Sequence, residues 1–339
     1  MRWHIETWAG TGIPGYHGDG EPAEQARLNW PRDVAVDASG ALYIADTLNH
    51  RIRRVGPDGV ITTVAGVGQC GHSGDGGPAI GARLAAPRGV AVAPDGSIYV
   101  SDTENHCVRR ITPDGIIHTV AGTCQAGDGG DDGPAVRAQL SWPAGIAIAP
   151  DGSVYVADSG NDRIRRLHLD GSISTVAGTG RAAWEGDGGP AVAASLSCPR
   201  GVTVGPDGTL WIGDTENHRV RRISPEGFIH TAAGTGEPGY AGDNGPAAAA
   251  RLRGPRGLAA APDGSLFIAD CDNSVIRLLT PAGLIIAIAG TGKEGCSGDG
   301  GPALAARLAD PHGIALAPGG SLYLAEPRSS RVRVLRPAR

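Results

Sequence analysis

Short runs of apolar residues, separated by turns rich in Gly, Pro and Asp, recur along the whole chain. The first runs that share this pattern are Val34–Val36, Leu42–Ala45, Arg51–Val55 and Val60–Val64. Arg51–Val55 follows a period-two pattern, and a Pro57–Gly59 turn separates it from the next run. Runs of this length and periodicity, joined by tight turns, predict four antiparallel β-strands.

The same four-strand unit repeats every 56 residues without insertion or deletion. A proline opens the first strand of each unit, at Pro31, Pro87, Pro143, Pro199, Pro255 and Pro311. An acidic residue closes the second strand, at Asp46, Asp102, Asp158, Asp214, Asp270 and Glu326. Six such units that bury their faces against neighbours form a propeller. The predicted fold is therefore all-β, a single six-bladed β-propeller over residues 1–339.

The two ends of the chain predict how the ring closes. Arg339 aligns with Gly59, so the sixth unit stops before its fourth strand, and Ile5–Gly10 aligns with Ile61–Gly66. Residues 3–338 therefore fill six whole repeats. We expect the N-terminal strand to complete the last blade and to hold the two ends together.

Composition narrows the function only slightly. The net charge of −5 argues against a nucleic-acid partner, and no apolar segment typical of a signal peptide or a membrane span is present. We expect a soluble monomer, either cytoplasmic or excised from a larger protein. Lys293 is the only lysine among 30 basic residues, a bias typical of high-GC bacteria.

Six cysteines occupy different positions of the repeat, at Cys70, Cys107, Cys124, Cys198, Cys271 and Cys296. They show no Cys-x-x-Cys or other metal-ligand spacing, and the sequence selects no disulfide pairing. We therefore expect free thiols, no metal site and no cofactor.

The repeating segments resemble a known family. Asn49–Ile52, Asn105–His106 and Asn217–Val220 follow Pro-x-Gly-Val-Ala-Val and Tyr-Ile-Ala-Asp runs, as in NHL repeats. The Gly-Asp-Gly-Gly-Pro-Ala connections resemble the bacterial subtype and also the propeller of teneurins. The resemblance covers the whole chain and implies the fold. It leaves the activity open, because NHL propellers include scaffolds, sensor domains, RNA-binding modules and a few lyases or hydrolases.

Binding groups are expected on one face of the ring, which carries the loops such as Asp46–His50 and the connections between blades such as Gly66–Ala86. When the six repeats are aligned, equivalent positions form columns. The column that directly follows the first-strand proline lies on this face, at the entrance of the central tunnel, and contains Arg32, Arg88, Ala144, Arg200, Arg256 and His312. Guanidinium groups around one axis repel one another unless negative charge lies between them. Two interpretations stay open: pairing with loop carboxylates, or a funnel for an anionic ligand.

An enzymatic alternative rests on the junction of blades 6 and 1. Asp33 replaces the glycine of the other blades and His312 replaces arginine, so we predict that they form a carboxylate–imidazole pair for acid–base catalysis. The peptidylglycine amidating lyases that share this propeller hold zinc with three histidines at the Pro-His position. This chain has only His312 there, so the resemblance implies no zinc triad.

Two further columns are interpreted as structural. The aspartates of the connections are expected to cap short helices, with Asp128–Asp132 as an alternative cation site; they are Asp19, Asp75, Asp131, Asp187, Asp243 and Asp299. The third-strand arginines are expected to form blade-to-blade salt bridges or carbonyl contacts; they are Arg53, Arg109, Arg165, Arg221, Arg277 and Arg333.

The sequence thus predicts a propeller that recognises an anionic small molecule or peptide, without a membrane or nucleic-acid partner. The groups expected to hold the ligand are Arg32, Arg88, Arg200 and Arg256, with Trp30 and Trp142 packed against it. The alternative function is a lyase or hydrolase that uses His312 and Asp33.

Overall fold

The computed structural model describes residues 3–338, which form six antiparallel sheets arranged as blades around a central tunnel. Blades 1 to 3 contain the strands Pro31–Val36, Leu42–Asp46, Arg51–Val55, Ile61–Ala65; Gly89–Val92, Ile98–Asp102, Cys107–Ile111, Ile117–Ala121; and Pro143–Ile148, Val154–Asp158, Arg163–Leu167, Ile173–Ala177. Blades 4 to 6 contain Pro199–Val204, Leu210–Asp214, Arg219–Ile223, Ile229–Ala233; Pro255–Ala260, Leu266–Asp270, Val275–Leu279, Leu284–Ala289; and Ile314–Leu316, Leu322–Glu326, Arg331–Pro337, Trp3–Ala9. The predicted all-β, six-bladed fold is confirmed.

The N-terminal strand closes the ring as predicted. Trp3–Ala9 lies antiparallel to Arg331–Pro337, with Ile5 opposite Leu335. Ile5 is fully buried, and the ring of Trp3 packs edge-on against Phe267 of blade 5 at 5.9 Å. The first strand of the chain therefore joins the last blade and also contacts the blade before it.

The connections between blades cover the outer strand of the blade that they enter. In blade 1 the Gly20 N–H donates to the Ile61 carbonyl, and Pro22 bridges Val60. Gly245–Pro246 and Gly301–Pro302 add short fifth strands to blades 5 and 6 in the same way. Such covering satisfies backbone groups that an outer edge would leave open to other chains.

Single 3₁₀ turns are the helical elements between residues 3 and 338. They are Ala23–Gln25, Thr47–Asn49, Ala79–Gly81, Thr103–Asn105, Ala135–Arg137, Ser159–Asn161, Ala191–Ala193, Thr215–Asn217, Ala247–Ala249, Cys271–Asn273, Ala303–Ala305 and Pro327–Ser329. None of the helical elements in the described chain is long and apolar enough to cross a bilayer.

Apolar clusters between neighbouring blades form the core. Ile44 of blade 1, for example, shares a cluster with Val334 of blade 6, and both side chains are fully buried. Because each blade buries one face against each neighbour, the blades depend on one another for stability. The rigid ring fixes the first strands, and therefore the column after their prolines, around the axis.

The third-strand arginines are fully buried and hold this framework together. Arg53 lies 2.7 Å from a carboxylate oxygen of Asp19 and 3.5 Å from one of Asp46, and its guanidinium also donates to the carbonyls of Arg27 and His17. The predicted salt bridges and carbonyl contacts of the arginine column are present, but the prediction that they run from blade to blade is wrong, because they join the third strand to its own blade and to the connection that enters it.

The predicted helix caps are wrong. In the connections between blades, each 3₁₀ turn, such as Ala23–Gln25, is preceded at its N-cap position by a proline such as Pro22. No side chain caps these turns. The connection folds back on the blade instead, so that Asp19 meets Arg53. The alternative cation site at Asp128–Asp132 is also replaced by ion pairs, because Asp128 pairs with Arg163 and Asp131 with Arg165.

Candidate functional site

A cavity of about 290 Å³ lies on the axis of the ring. Its lining includes all six residues of the post-proline column: Arg32, Arg88, Ala144, Arg200, Arg256 and His312. Along the first strands the lining becomes apolar, with residues such as Val34, Val90 and Ile146. Pro94 and Pro150 line a second cavity that shares Val92 and Ile148 with the first. The tunnel thus joins a cationic mouth to apolar walls.

The backbone explains why the column faces the axis. Pro31 is paired with Asp46 at the end of the second strand, and a β-bulge between Pro31 and Asp33 turns Arg32 at that point. This end of the strand pair carries the Thr47–Asn49 turn, so the arginines lie on the face predicted to carry the loops.

Arg32 and Arg88 form no ion pair with a carboxylate among residues 3–338, although the charges of Asp310 and Glu104, respectively, act to raise their pKa values. The Nε atoms of Arg32 and Arg88 are buried without a hydrogen-bond partner among residues 3–338. Burial lowers the pKa of Arg32 to about 10, helped by the charges of Arg88 and Arg200. Burial and Arg200 also lower the pKa of Arg88, whose guanidinium lies 5.3 Å from the ring centre of Trp142. The funnel interpretation fits these two side chains.

Arg256 agrees with the other interpretation, in which the arginines pair with loop carboxylates. Among the four arginines it alone forms carboxylate ion pairs within residues 3–338, at 3.3 Å to Asp310 and 3.5 Å to Asp272. Arg200 instead donates from Nε to the Cys198 sulfur at 3.4 Å. The ring is therefore uneven: Arg256 faces carboxylates, Arg200 contacts a sulfur, and Arg32 and Arg88 are unmatched, with no carboxylate ion pair among residues 3–338.

A buried polar cluster surrounds Arg256. Its Nη1 lies 2.5 Å from His312 Nε2, 2.8 Å from Cys271 Sγ and 3.3 Å from Asp310 Oδ1. The Cys271 thiol donates to Asp310 Oδ1 at 2.7 Å. Cys271, Asp310 and His312 offer three potential metal-ligand atoms within 4.8 Å of one another, and the Arg256 guanidinium lies against all three. A cation there would require Arg256 to move away.

The charge states of this cluster follow from burial and Arg256. Burial lowers the pKa of His312 to about 4, with Asp310 opposing and Arg256 assisting. Burial would raise the pKa of Asp310, but His312, Cys271 and Arg256 hold it well below its usual value. His312 is therefore neutral at neutral pH, and Asp310 supplies the negative charge that Arg256 faces.

The predicted pair of Asp33 and His312 does not form. Asp33 Oδ2 accepts the Val90 N–H of blade 2 at 3.1 Å, whereas His312 Nε2 lies 3.2 Å from Asp310 Oδ2. Asp310 has a left-handed backbone (φ 59°), which turns its carboxylate back over the residue two positions on. Local geometry thus gives His312 a carboxylate from its own blade.

The residue before each first-strand proline has the same left-handed backbone. These positions are Trp30, Ala86, Trp142, Cys198, Gly254 and Asp310. These six positions form the rim of the tunnel mouth, and the conformation is strained at the five that carry a side chain. Trp142 is 41% exposed, and the Nε1 of Trp30 is buried without a partner in the described chain. Both predicted tryptophans thus occupy rim positions, but neither is among the residues that line the axial cavity, and their contact with a ligand stays a prediction.

The histidines of the repeat hold this rim in place. His50 Nδ1 accepts the Ala86 N–H at 3.0 Å, and His106 Nδ1 accepts the Trp142 N–H at 3.2 Å. Because Nδ1 accepts in each case, the proton of the neutral imidazole lies on Nε2. These two histidines join blades 1 and 2 to the rim positions that precede blades 2 and 3.

Sequence reasoning missed Cys271 as a member of the site. The corresponding residues of blades 1 to 4 are Thr47, Thr103, Ser159 and Thr215, whose hydroxyls donate to the carbonyl of the next blade's first-strand proline. Cys271 bonds to Asp310 instead. The aligned repeats contain a signal for this cluster. Cys271 stands where blades 1 to 4 have a hydroxyl residue, and Asp310 is the only acidic residue among the six rim positions.

The family of the chain follows from its sequence as well as its fold. The family model of the teneurin NHL domain matches residues 14–73, 67–128 and 124–184, and the NHL-repeat model matches residues 196–223. These segments cover more than half of the chain, which therefore belongs to the NHL-repeat β-propellers.

Curated relatives are much longer than this chain. It is 31% identical over 272 residues to SUPPRESSOR OF QUENCHING 1 of Arabidopsis thaliana, described as chloroplastic, which covers 76% of this chain and 25% of the relative. It is 33% identical over 253 residues to Teneurin-1 of Mus musculus, covering 65% of this chain and 9% of that protein. The chain thus spans a quarter or less of these relatives.

Solved structures with the same fold have diverse described functions. An auxiliary nutrient binding protein of Bacteroides thetaiotaomicron aligns over 99% of this chain and 76% of its own, with a TM-score of 0.69 and 16% identity. A streptogramin B lyase aligns over 99% and 98% (TM-score 0.57, 17% identity). A gluconolactonase of Xanthomonas campestris aligns over 91% and 86% (TM-score 0.59, 15% identity). At these identities the likeness concerns the fold alone.

Proposed function

We propose that this propeller is a recognition module that binds a small carboxylate- or phosphate-bearing ligand at the cationic mouth of its tunnel. The observation that carries the proposal is the pair Arg32 and Arg88, half-buried guanidinium groups that face other arginines without a carboxylate partner in residues 3–338. A bound anion would relieve their repulsion and accept bidentate hydrogen bonds.

The shape of the cavity suggests the rest of the ligand. Below the arginines the walls are Val34, Val90, Ile146 and their equivalents, and the volume of about 290 Å³ suits a small molecule. We therefore propose a ligand with an anionic head and a compact apolar body, with Trp142 and Trp30 packed against it at the rim. The nutrient-binding propellers of the same fold are consistent with a small-molecule ligand.

Removing the two unmatched arginines should abolish anion binding. In wild-type protein, sulfate should raise the melting temperature saturably relative to chloride at equal ionic strength. The Arg32→Gln/Arg88→Gln variant should lose at least about tenfold in sulfate affinity, or about 1.4 kcal/mol, since each charge-assisted hydrogen bond contributes more than that. In chloride the same variant should melt at or above the wild-type temperature, because like charges have been removed.

Two variants control this measurement. Arg137→Gln removes an exposed arginine outside the tunnel and should leave the sulfate response unchanged. Arg256→Gln breaks the buried contacts with Asp310 and His312 and should destabilise the fold in both salts. If the Arg32/Arg88 variant keeps the wild-type sulfate response, the proposed function is wrong.

Anion affinity should depend on pH through Asp33. Burial raises the pKa of Asp33 to about 7, with the N–H groups of Val90 and Val34 opposing. As pH falls through that value the carboxylate becomes neutral, and a negative charge leaves the cavity wall. Sulfate affinity should therefore rise between about pH 8 and about pH 6, and Asp33→Asn should flatten this rise. An unchanged slope in Asp33→Asn would assign the dependence to another group.

The second candidate function is a lyase or hydrolase, favoured by the buried cluster of Cys271, Asp310 and His312. His312 is neutral and contacts a carboxylate, but its pKa of about 4 makes it a weak base, and Asp310 and Arg256 both lie at its Nε2. A substrate would have to displace Arg256. Lactone hydrolysis that is present in wild type and lost in His312→Ala would favour this candidate, and an inactive wild type would remove its support.

A further inference from the structure

Away from the tunnel, three positions of the repeat meet where a connection passes the start of the third strand. Going round the ring, these triplets are Tyr16/Arg51/Gly68, His72/Cys107/Cys124, Asp128/Arg163/Gly180, Trp184/Arg219/Gly236, Tyr240/Val275/Gly292 and Cys296/Arg331/Gly12. The glycine has a positive φ in every triplet that contains one. The three positions therefore belong to one recurrent local structure.

Blade 1 shows what this structure normally does. The Arg51 guanidinium lies 3.6 Å from the ring centre of Tyr16 and donates to the Val67 carbonyl at 2.9 Å. It covers Gly68, where a Cβ would collide with the guanidinium. Arg219 lies over Trp184 and against Gly236 in the same way, at 4.6 Å from the ring centre. The arginine thus ties the connection to the third strand.

In blade 2 all three positions change together. Cys107 replaces the arginine, Cys124 replaces the glycine and keeps its left-handed backbone (φ 61°), and His72 takes the place of Tyr16. The loss of the long arginine side chain makes room for a side chain at Cys124. Since each change is needed for the three groups to meet, the triplet behaves as one unit.

The three side chains converge on one point. A ring nitrogen of His72 and the sulfurs of Cys107 and Cys124 all lie within 4.8 Å of one another. Cys107 is fully buried, Cys124 is half-buried and His72 is exposed, so the cluster opens to solvent on the imidazole side. Thiolates bind zinc at about 2.3 Å and imidazole at about 2.0 Å, so one ion can reach all three after small side-chain rotations.

We propose that His72, Cys107 and Cys124 form a binding site for a thiophilic divalent cation of the zinc type. The ion would take over the task of the missing arginine and link the connection before blade 2 to its third strand. A disulfide between the two cysteines would account for the sulfurs but not for the histidine. Three protein ligands leave a fourth position for solvent. This inference is independent of the function proposed for the tunnel.

The test uses Co²⁺ as a spectroscopic probe, in reductant, on the Cys271→Thr protein. That background removes the other cysteine–histidine cluster and restores the residue type of Thr47, Thr103 and Thr215. One equivalent of Co²⁺ should produce a thiolate-to-metal charge-transfer band, Zn²⁺ should displace it, and either ion should raise the melting temperature saturably.

Three variants distinguish Co²⁺ binding at the proposed site from nonspecific Co²⁺ binding. Replacing the triplet by that of blade 1 (His72→Tyr, Cys107→Arg, Cys124→Gly) should keep the fold and lose the band. His72→Ala, at an exposed position, should weaken Co²⁺ binding at least about tenfold, because one of three ligands is lost. Cys70→Ser, on the same connection but outside the cluster, should bind as the parent does.

Several outcomes would overturn the proposal. One is reduced protein that binds no stoichiometric Co²⁺. Another is a charge-transfer band that survives the blade 1 replacement. A third is His72→Ala binding Co²⁺ as tightly as the parent does. A Cys107–Cys124 disulfide in protein purified without reductant, combined with no metal binding after reduction, would identify the pair as a redox couple instead.

Discussion

Deletion of residues 1–10 should lower the melting temperature more than any single substitution in the chain. The deletion removes the fourth strand of blade 6, Trp3–Ala9, with the fully buried Ile5 and the contact between Trp3 and Phe267. It leaves Arg331–Pro337 as an open strand edge and separates the two ends of the ring. Thermal melting followed by circular dichroism measures the effect.

Point substitutions in the same strand provide a matched control. Ile5→Ala should reduce the free energy of unfolding by about 2–5 kcal/mol, whereas His4→Ala, at the neighbouring exposed position, should change it by less than about 0.5 kcal/mol. A deletion variant that melts with the full chain would contradict the closure of the ring.

Loss of one buried carboxylate should have the second largest effect. Asp214 accepts hydrogen bonds from the Ser197 N–H at 2.8 Å, Asn217 at 2.9 Å and Arg221 at 3.1 Å, and it is fully buried. Asp214→Ala should therefore destabilise the protein by about 3–5 kcal/mol, because the buried Arg221 guanidinium loses one of its two carboxylates and two other donors lose a buried acceptor. Chemical denaturation measures this difference.

A surface ion pair serves as the comparison. Arg181 and Glu185 lie 2.8 Å apart, but both side chains are more than 60% exposed. Glu185→Ala should change stability by less than about 1 kcal/mol, since solvent screens such pairs. If Asp214→Ala were no more damaging than Glu185→Ala, the buried Arg–Asp columns would not fix each blade to its connection as described.

The architecture could be predicted from the sequence because an unbroken repeat makes equivalent positions visible. The proline and acid columns located the first and second strands, and the alignment of Ile5–Gly10 with Ile61–Gly66 located the closing strand. The ring of arginines could be placed at the tunnel for the same reason, since a column of a propeller must form a circle.

The repeat does not reveal the hydrogen-bond or ion-pair partner of each polar side chain. Asp19 meets Arg53, 34 positions away, because the connection folds back on its blade, and no local pattern signals this. His312 was assigned to Asp33 of the next blade, but the left-handed turn at Asp310 brings a nearer carboxylate. Such choices depend on backbone turns and packing that one sequence does not specify.

Departures from symmetry were informative only when several columns were compared together. Cys271 replaces the Thr or Ser of blades 1 to 4, and its contact with Asp310 shows that it belongs to a polar cluster. Cys107 replaces an arginine, and it lies close to Cys124 and His72. Each cysteine alone indicated a free thiol. Only the fold shows that these unusual residues, which are far apart in the sequence, contact one another and form clusters.

A crystal soaked in selenate would show whether the unmatched arginines at the tunnel mouth hold an anion. Selenate has the geometry and charge of sulfate, and selenium can be located by its anomalous scattering. We expect an anomalous peak on the axis, within hydrogen-bond distance of Arg32 and Arg88, that is absent in the Arg32→Gln/Arg88→Gln variant. An empty tunnel mouth at a selenate concentration that raises the melting temperature would show that Arg32 and Arg88 do not bind the anion.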